Sequence, residues 1–215
     1  MKTHIEIITG FLSTGKTSFI NALTQITLIP KERLLILQCE SGSKNIEKCI
    51  EGYENVVIKT YKIGEKLTEG YIKNILDTYK PHRLIIEHNG TIPVTETLST
   101  IYSKKLKKVC KVTTIFYISE ASTFNFYINN MVFMILPSVQ YANLILINNI
   151  DDISKNEREE ITKKINFINP YAYIVEVKKD ETIKNVVNKA NLLDKGLIKS
   201  IRIYFKDLIY NKFKG

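Results

Sequence analysis

The chain has 215 residues, of which 44% are hydrophobic and 25% charged, and this excludes disorder as its main state. The formal net charge at pH 7 is +9, but the lysines are spread along the chain. That distribution indicates ordinary solvated faces rather than a specific nucleic-acid site.

Seven short apolar runs predict β-strands. Several are nearly continuous Ile, Leu and Val, as expected for parallel strands that are covered on both faces. The runs span residues 4–9, 33–38, 55–61, 82–88, 112–118, 143–148 and 171–177.

Helical patterns separate several of these strands, at 15–26, 65–79 and 154–168. The second pattern aligns four apolar residues in one stripe, and the third begins at a Ser154 cap. The stripe consists of Leu67, Tyr71, Ile75 and Tyr79. Alternating strands and helices predict an α/β fold of three layers with a mostly parallel central sheet.

A glycine-rich loop, GFLSTGKT at residues 10–17, follows the first predicted strand and precedes the first predicted helix. It fits GxxxxGK[ST], the loop whose backbone amides surround a phosphate chain. Lys16 would reach the β and γ phosphates, and the Thr17 hydroxyl would ligate Mg²⁺. We therefore predict a P-loop NTPase domain that holds a nucleoside triphosphate through Gly10, Ser13, Thr14, Gly15, Lys16, Thr17 and Ser18.

The turn NNID after the sixth strand indicates the preferred base. Asn148 and Asp151 occupy the outer positions of Asn-Lys-x-Asp, in which the Asp accepts hydrogen bonds that guanine can donate and adenine cannot. Asn149 replaces the lysine whose stem packs over the base, which predicts weaker GTP binding with selectivity retained. The alternative is a polar turn in which Asp151 or Asp152 caps a helix.

Taken together, these segments resemble the CobW/HypB/UreG GTPases, and the CobW branch in particular. TGFLSTGKTSFINAL resembles the phosphate loop of that branch, and ILQCESG, LIIEHNGTIPV, QYANLILINNID and INFINPYAYIVEV resemble later segments in the same order. The likeness implies a GTPase domain at 1–180 and a basic helical extension at 181–215 packed on the same domain. Too few residues remain for the separate C-terminal domain common in CobW proteins.

The resemblance also implies roles for acidic residues. Glu87 and Gly90 match an ExxG segment, in which the carboxylate holds Mg²⁺ through water and the glycine amide meets the γ-phosphate. Glu40 and Gly42 match the first switch, and Glu47 matches an aspartate near metal or water. The alternatives are a solvent-facing strand end for Glu87 and exposed loop acids for the others. Catalytic roles are implied for Lys16, Glu40 and Glu87, and Mg²⁺ ligation for Thr17, Glu47 and Glu87.

Many members of that family carry CxCC between the first switch and ExxG, where thiolates bind a soft metal. The corresponding interval here contains no cysteine. Cys39 and Cys49 lack that spacing, and the three histidines form no ligand pattern. We therefore do not expect a bound transition metal.

The tail after residue 195 mixes lysines with an apolar stripe of Ile198, Ile201, Phe205, Leu208 and Ile209. Packing against the sheet is the first interpretation, and a helix that docks on a partner or a membrane surface is the alternative. We expect a cytoplasmic protein without a membrane span, because the most apolar stretch is interrupted by Asn129, Asn130 and Pro137.

The sequence therefore predicts a slow GTPase that uses GTP/GDP and Mg²⁺ as a switch. Its predicted partner is a client metalloenzyme or corrinoid protein that it helps to mature or activate, and a homodimer is left open. Two alternatives remain. One is a nucleotide-binding module without significant hydrolysis, and the other is an ATP-dependent small-molecule kinase.

Overall fold

The structure, a computed structural model, describes residues 2–40, 46, 50, 52–62 and 64–189, with side chains up to Val186. The predictions made for Gly42, Glu47, Cys49 and the tail at 190–215 lie outside the described residues. The division into a domain and an extension therefore stays a prediction.

A seven-stranded sheet forms the centre of the described chain. Its strands are β1 (Thr3–Thr9), β2 (Leu34–Gln38), β3 (Val56–Thr60), β4 (Arg83–Glu87), β5 (Cys110–Glu120), β6 (Leu144–Asn148) and β7 (Tyr173–Glu176). The order is β3-β2-β4-β1-β5-β6-β7, and every neighbouring pair is parallel. All seven predicted strands are confirmed.

Helices cover both faces of this sheet. They are α1 (Lys16–Thr27), α2 (Glu69–Tyr79), α3 (Val94–Ile101), α4 (Leu106–Val109), α5 (Ala121–Asn130), α6 (Val132–Tyr141), α7 (Lys155–Ile168) and α8 (Ile183–Lys189). Apolar residues of α1 and α8 pack on one face of the sheet with Ile8, Ile36 and Ile85. Helices α2 to α7 pack on the other face. The predicted three-layer α/β architecture is confirmed.

Of two predicted helices, α2 starts later than predicted and α7 starts where predicted. Helix α2 begins at Glu69 rather than at residue 65, because Thr68 has an extended backbone and its hydroxyl accepts from the Tyr71 amide at 3.3 Å. Helix α7 begins after Ser154, as predicted, and Ser154 and Glu157 form a capping box at its N-terminus.

The apolar stretch at 126–139 belongs to two helices that the sequence did not predict. Pro137 lies inside α6, where it removes one backbone donor. The carbonyl left without that donor belongs to Phe133, a residue that is 90% exposed. No helix in the described part of the chain is both long and apolar enough to cross a membrane.

Because all strands are parallel, their carboxyl ends meet at one edge of the sheet. Ile8 lies opposite Glu87 in the β1–β4 pair, and Glu120 lies opposite Asn148 in the β5–β6 pair. The loops after β1, β4, β5 and β6 therefore converge, which is where ligands bind in open α/β sheets.

Candidate nucleotide-binding site

The loop between β1 and α1 requires glycine at two positions. Gly10 has φ +145° and Gly15 has φ +97°, conformations that favour glycine. A Cβ on Gly10 would lie 2.0 Å from the Ile118 carbonyl oxygen of the neighbouring strand β5. The loop thus packs its backbone directly against the sheet edge, and its amides precede the N-terminus of α1.

Gly90 brings the segment after β4 against this loop. A Cβ on Gly90 would lie 2.1 Å from the Gly10 carbonyl oxygen and 2.8 Å from the Phe11 Cα. Only a glycine allows the backbones of the two segments to approach this closely. The structure therefore brings Gly90 beside the phosphate loop.

Lys16 is a buried cation at the first turn of α1, with 3% of its side chain exposed. Its Nζ donates to the carbonyls of Gly10 and Phe11 at 2.9 and 2.7 Å and lies 2.5 Å from Glu40 Oε2. A buried ammonium is tolerated only with such compensation. Glu40, which follows β2, is thereby placed within reach of any group that Lys16 binds.

Thr17 and Glu87 form the second polar pair of the site. The Thr17 hydroxyl donates to Glu87 Oε1 at 2.5 Å, and Gln38 donates to Glu87 Oε2 at 2.8 Å. Glu87 is 3% exposed, so it does not face solvent at a strand end. A hydroxyl and a carboxylate side by side are the hard oxygen donors that Mg²⁺ prefers, and these residues fit that ion.

Asn148 connects the end of β6 to the phosphate loop. Its Nδ2 donates to the Thr14 carbonyl at 2.5 Å. A Cβ on Gly15 would lie 2.6 Å from the same nitrogen, which gives a second reason for glycine there. The outer Asn of the NNID turn is thus a structural link between the phosphate end and the base end of the site.

The other two residues of that turn differ in exposure. Asn149 has a left-handed backbone, φ +53°, and its amide donates to Glu120 at the end of β5. Burial raises the pKa of Glu120, and the hydrogen bond from Asn149 opposes that shift. Asp151 is exposed, and its Oδ1 accepts from the Lys179 backbone amide at 3.1 Å. Asp151 does not cap α7, because Ser154 does.

A cavity of about 770 Å³ runs from the phosphate loop to the NNID turn, within the size range of small-molecule sites. One wall consists of Ser13, Thr14, Gly15 and Ser18, all of them predicted phosphate-loop residues. The other lining residues include Glu120, Asn148, Asn149 and Lys179. Asp151 does not line this cavity.

Sequence reasoning missed His88, a buried imidazole in the ExxG segment. Its Nδ1 lies 3.4 Å from the Thr9 hydroxyl, and its Nε2 has no hydrogen-bond partner in the described part of the chain. Burial, with Lys16 nearby, lowers the pKa of His88 to about 4. The imidazole is therefore neutral at pH 7. Its position between Glu87 and Gly90 was the signal available in the sequence.

The described cysteines do not form a ligand group. Cys39 and Cys110 are both buried, and burial raises their pKa values to about 12 and about 11. Among the described residues, no group of three or more His, Cys, Asp or Glu side chains is arranged to hold a metal ion.

The sheet is wholly parallel, and the glycine-rich loop places Lys16 and Thr17 at its carboxyl edge. These two features define the class of P-loop nucleotide-binding domains. The model of the CobW/HypB/UreG nucleotide-binding domain matches residues 4–176. The chain belongs to this family. A comparison with curated protein sequences gave no match.

Solved structures of GTPases share the fold. The Zn(II)-bound YjiA GTPase from E. coli has a TM-score of 0.65 at 16% identity, and the alignment covers 86% of this chain and 61% of YjiA. HypB from Archaeoglobus fulgidus has a TM-score of 0.57 at 16% identity, covering 88% and 89%. HypB from Helicobacter pylori in complex with nickel has a TM-score of 0.56 at 13% identity, covering 92% and 88%.

Proposed function

We propose that the protein binds GTP and GDP with Mg²⁺ and hydrolyses GTP slowly, as a switch that assists the maturation or activation of a metal- or corrinoid-dependent enzyme. One observation carries this proposal. Lys16 and Thr17, at the start of α1, lie against carboxylates from two other strand ends, Glu40 and Glu87. Asn148 and Asn149, from the turn that would select the base, line one cavity together with Ser13, Thr14, Gly15 and Ser18 of the phosphate loop.

Lys16 acts first in this scheme. Its ammonium is held by two loop carbonyls and by Glu40, and a triphosphate offers it stronger charge-assisted contacts than one carboxylate. Lys16 therefore exchanges Glu40 for the β and γ phosphates. The loop carbonyls can keep their bonds during the exchange, so the ammonium never loses all its partners.

Glu40, once released, is the group that orients the attacking water. A water that attacks the γ-phosphate needs a hydrogen-bond acceptor. Glu40 lies within a few ångströms of Lys16, the residue that would hold that phosphate. Mg²⁺ held by Thr17 and Glu87 would neutralise charge that develops between the β and γ phosphates. Gly90, which touches Gly10, is placed to sense the γ-phosphate, and loss of that contact would release the segment after β4.

The client is proposed from the family and from two of its structures. YjiA was crystallised with zinc and HypB with nickel, which makes a metal-dependent client reasonable for this chain. Cys39 and Cys110 are buried with raised thiol pKa values, so they are poor carriers of such a metal. We therefore propose that the protein acts on its client through nucleotide-dependent contact.

A binding module without significant hydrolysis is the second candidate, and the hydrogen bonding of the site favours it. Glu40 is paired with Lys16, and both Glu87 oxygens accept hydrogen bonds, from Thr17 and Gln38. If Glu40 stays on Lys16 when nucleotide is bound, neither carboxylate is free to orient water.

Phosphate release by the purified chain with Mg²⁺ and GTP separates these candidates. We expect slow turnover that Lys16→Ala abolishes through loss of binding, whereas Glu40→Gln retains GTP binding and loses turnover. Tight GTP binding without turnover above the Lys16→Ala background would establish the binding module. Absence of any GTP or GDP binding would refute both candidates.

A further inference from the structure

The two carboxylate oxygens of Glu87 accept from different donors. The Thr17 hydroxyl donates to Oε1 at 2.5 Å, and the Gln38 side-chain amide donates to Oε2 at 2.8 Å. A single hydrogen bond would leave the carboxylate free to turn about its last torsion, which has broad minima. Two donors on separate oxygens fix the plane of the group, so Glu87 presents one defined oxygen to Thr17.

The sheet places Gln38 for this contact. Gln38 is the last residue of β2 and lies opposite Glu87, the last residue of β4, in the parallel β2–β4 pair. The pairing continues one step further, because the Cys39 amide donates to the Glu87 carbonyl at 3.0 Å. Residues that lie opposite each other in neighbouring strands point to the same face of the sheet. The Gln38 amide is therefore held by two paired backbones rather than by a loop.

The chemistry of Gln38 suits it to orient a metal ligand. Its amide nitrogen only donates, so it occupies Glu87 Oε2 without competing for a cation. Oε1 remains on the side of Thr17, the proposed Mg²⁺ ligand. Mg²⁺ demands nearly ideal octahedral geometry and therefore tolerates little misorientation of the groups that hold it. A residue that fixes the Glu87 carboxylate thus matters more for the ion than for the nucleotide alone.

We infer that Gln38 is a positioning residue for Mg²⁺, because it fixes the Glu87 carboxylate with Oε1 directed toward Thr17. The inference rests on the proposed function, in which Mg²⁺ accompanies GTP at Thr17 and Glu87. It assigns the end of β2 to the metal site, a role that the sequence did not predict. Gln38 acts through Glu87 and does not itself touch the ion.

GTP titrations of the full chain with saturating Mg²⁺ and with EDTA test this inference. The ratio of these two GTP affinities is the Mg²⁺ factor. Gln38→Met keeps the length of the side chain and removes the donor. We expect it to lower the Mg²⁺ factor about tenfold, because a residue that orients a metal ligand typically contributes roughly 10- to 100-fold to metal affinity. GTP affinity in EDTA should change less than about threefold, since the contacts of Lys16 with the phosphates do not involve Gln38.

Asn55→Leu is the matched control. Asn55 is a partly buried amide, like Gln38, and it donates to the Glu32 carbonyl at 2.6 Å. It directly precedes β3, so it lies at the opposite edge of the sheet from Gln38. Removal of this donor should leave the Mg²⁺ factor unchanged.

A second variant keeps the test decisive if Gln38→Met does not fold. Gln38→Ser leaves room for water to pair with Glu87 Oε2, so the buried carboxylate is not left without a partner. Such a water satisfies the oxygen but does not fix the plane of the carboxylate. Gln38→Ser should therefore fold and still lower the Mg²⁺ factor at least about threefold.

A double variant separates a role at the metal from a role in folding. In a Glu87→Gln background, Gln38→Met should change the Mg²⁺ factor less than about twofold, because its effect passes through the carboxylate. Equal losses of GTP affinity with Mg²⁺ and with EDTA, no difference from Asn55→Leu, or a further fall of about tenfold in the Glu87→Gln background would each overturn the inference. Absence of GTP binding by the unaltered chain, or no effect of Mg²⁺ on that binding, would instead refute the proposed function.

Discussion

Two buried charge clusters lie at opposite ends of helix α1. At its first residue, Lys16 Nζ lies 2.5 Å from Glu40. At its last residue, the Thr27 hydroxyl accepts from Arg83 Nη1 at 2.8 Å, and Arg83 Nη2 lies 2.7 Å from Glu6. The 12-residue helix separates the clusters by roughly 18 Å.

The two cations differ in how their partners are fixed. Arg83 spreads its donors over a planar guanidinium, and these meet Glu6 and Thr27, with Glu32 at 4.0 Å. Lys16 is a point charge that contacts loop carbonyls and a single carboxylate. A ligand anion can replace that carboxylate without breaking a fork of bonds. One cluster is therefore suited to hold the fold, and the other to exchange partners.

Their surroundings support this division. Arg83 and Glu6 lie on paired strands, β4 and β1, whose backbones are fixed by the sheet. Lys16 lies behind a loop whose glycines allow close backbone contacts that no other residue permits. Both ends of α1 therefore carry a buried cation. Arg83 is held rigidly at one end, and Lys16 can exchange its partner at the other.

The largest expected effect is on stability, at the arginine cluster. Arg83→Met leaves Glu6 and Glu32 buried without a cation, so the free energy of unfolding in urea should fall by about 3–5 kcal/mol. Arg158→Met is the control, because Arg158 pairs with Glu176 at the surface and should cost at most about 1 kcal/mol. Similar losses for both variants would show that the buried cluster does not stabilise the fold.

This cluster also shows where sequence reasoning fails. Short apolar runs, several of them nearly continuous Ile, Leu and Val, predicted all seven strands, and the contiguous loop motif predicted the turn between β1 and α1. Glu6, Glu32 and Arg83 are far apart in the sequence, and nothing local pairs them. Glu6 stands between Ile5 and Ile7 in a strand predicted to be covered on both faces, which was a sign that it needed a buried cation.

The next largest effect is on nucleotide binding. Lys16→Ala removes charge-assisted bonds worth about 1.5–3 kcal/mol, so affinity for Mg²⁺–GTP should fall at least about tenfold. Thr17→Ala removes a proposed Mg²⁺ ligand, so the loss of GTP affinity should appear with Mg²⁺ and vanish when EDTA is present. Titration of both variants with and without EDTA checks this. Unchanged curves for both would refute the phosphate-loop assignment.

The part of the cavity proposed to hold the base was only partly predictable, because residues that are distant in the sequence line it together. Their spacing after a strand predicted a role for Asn148 and Asp151, and of the two only Asn148 lines the cavity. Glu120 and Lys179 approach the same cavity from β5 and from beyond β7, and their contacts depend on the paths of two loops. Likewise, no helix was predicted over 126–139, although α6 continues through Pro137.

A smaller effect concerns the choice of base. Asp151 should favour GDP over ADP at least tenfold, because guanine can donate hydrogen bonds to its carboxylate and adenine cannot, and a hydrogen bond to a charged group is worth about 1.5–3 kcal/mol. Asp151→Asn should erase the preference, since an amide cannot accept from both guanine donors. Competition titrations measure the ratio. Asp77→Asn, which removes an exposed carboxylate paired with Lys73, should leave it unchanged. Equal binding of ATP and GTP by the unaltered chain would contradict guanine selection.

The smallest effect is the pH dependence that Glu32 adds to stability. Burial raises the pKa of Glu32 above its ordinary value, although Arg83 opposes the shift. The folded chain therefore holds this proton more tightly than the unfolded chain, in which the carboxyl titrates near about 4.3. The contribution of Glu32 is fully present below that pH and is lost as the pH rises through the folded pKa.

Glu32→Gln removes this titration, so the wild-type minus variant difference in unfolding free energy should fall with rising pH, by at most about 1.4 kcal/mol per pH unit. His4 and His88, whose pKa values are lowered to about 4, produce the opposite slope between 4 and 6.5. Both proteins contain these histidines, so their slope cancels in the difference. Urea unfolding from pH 4 to 8 measures it. A difference that stays flat or rises with pH would mean that burial does not raise the pKa of Glu32 above its value in the unfolded chain.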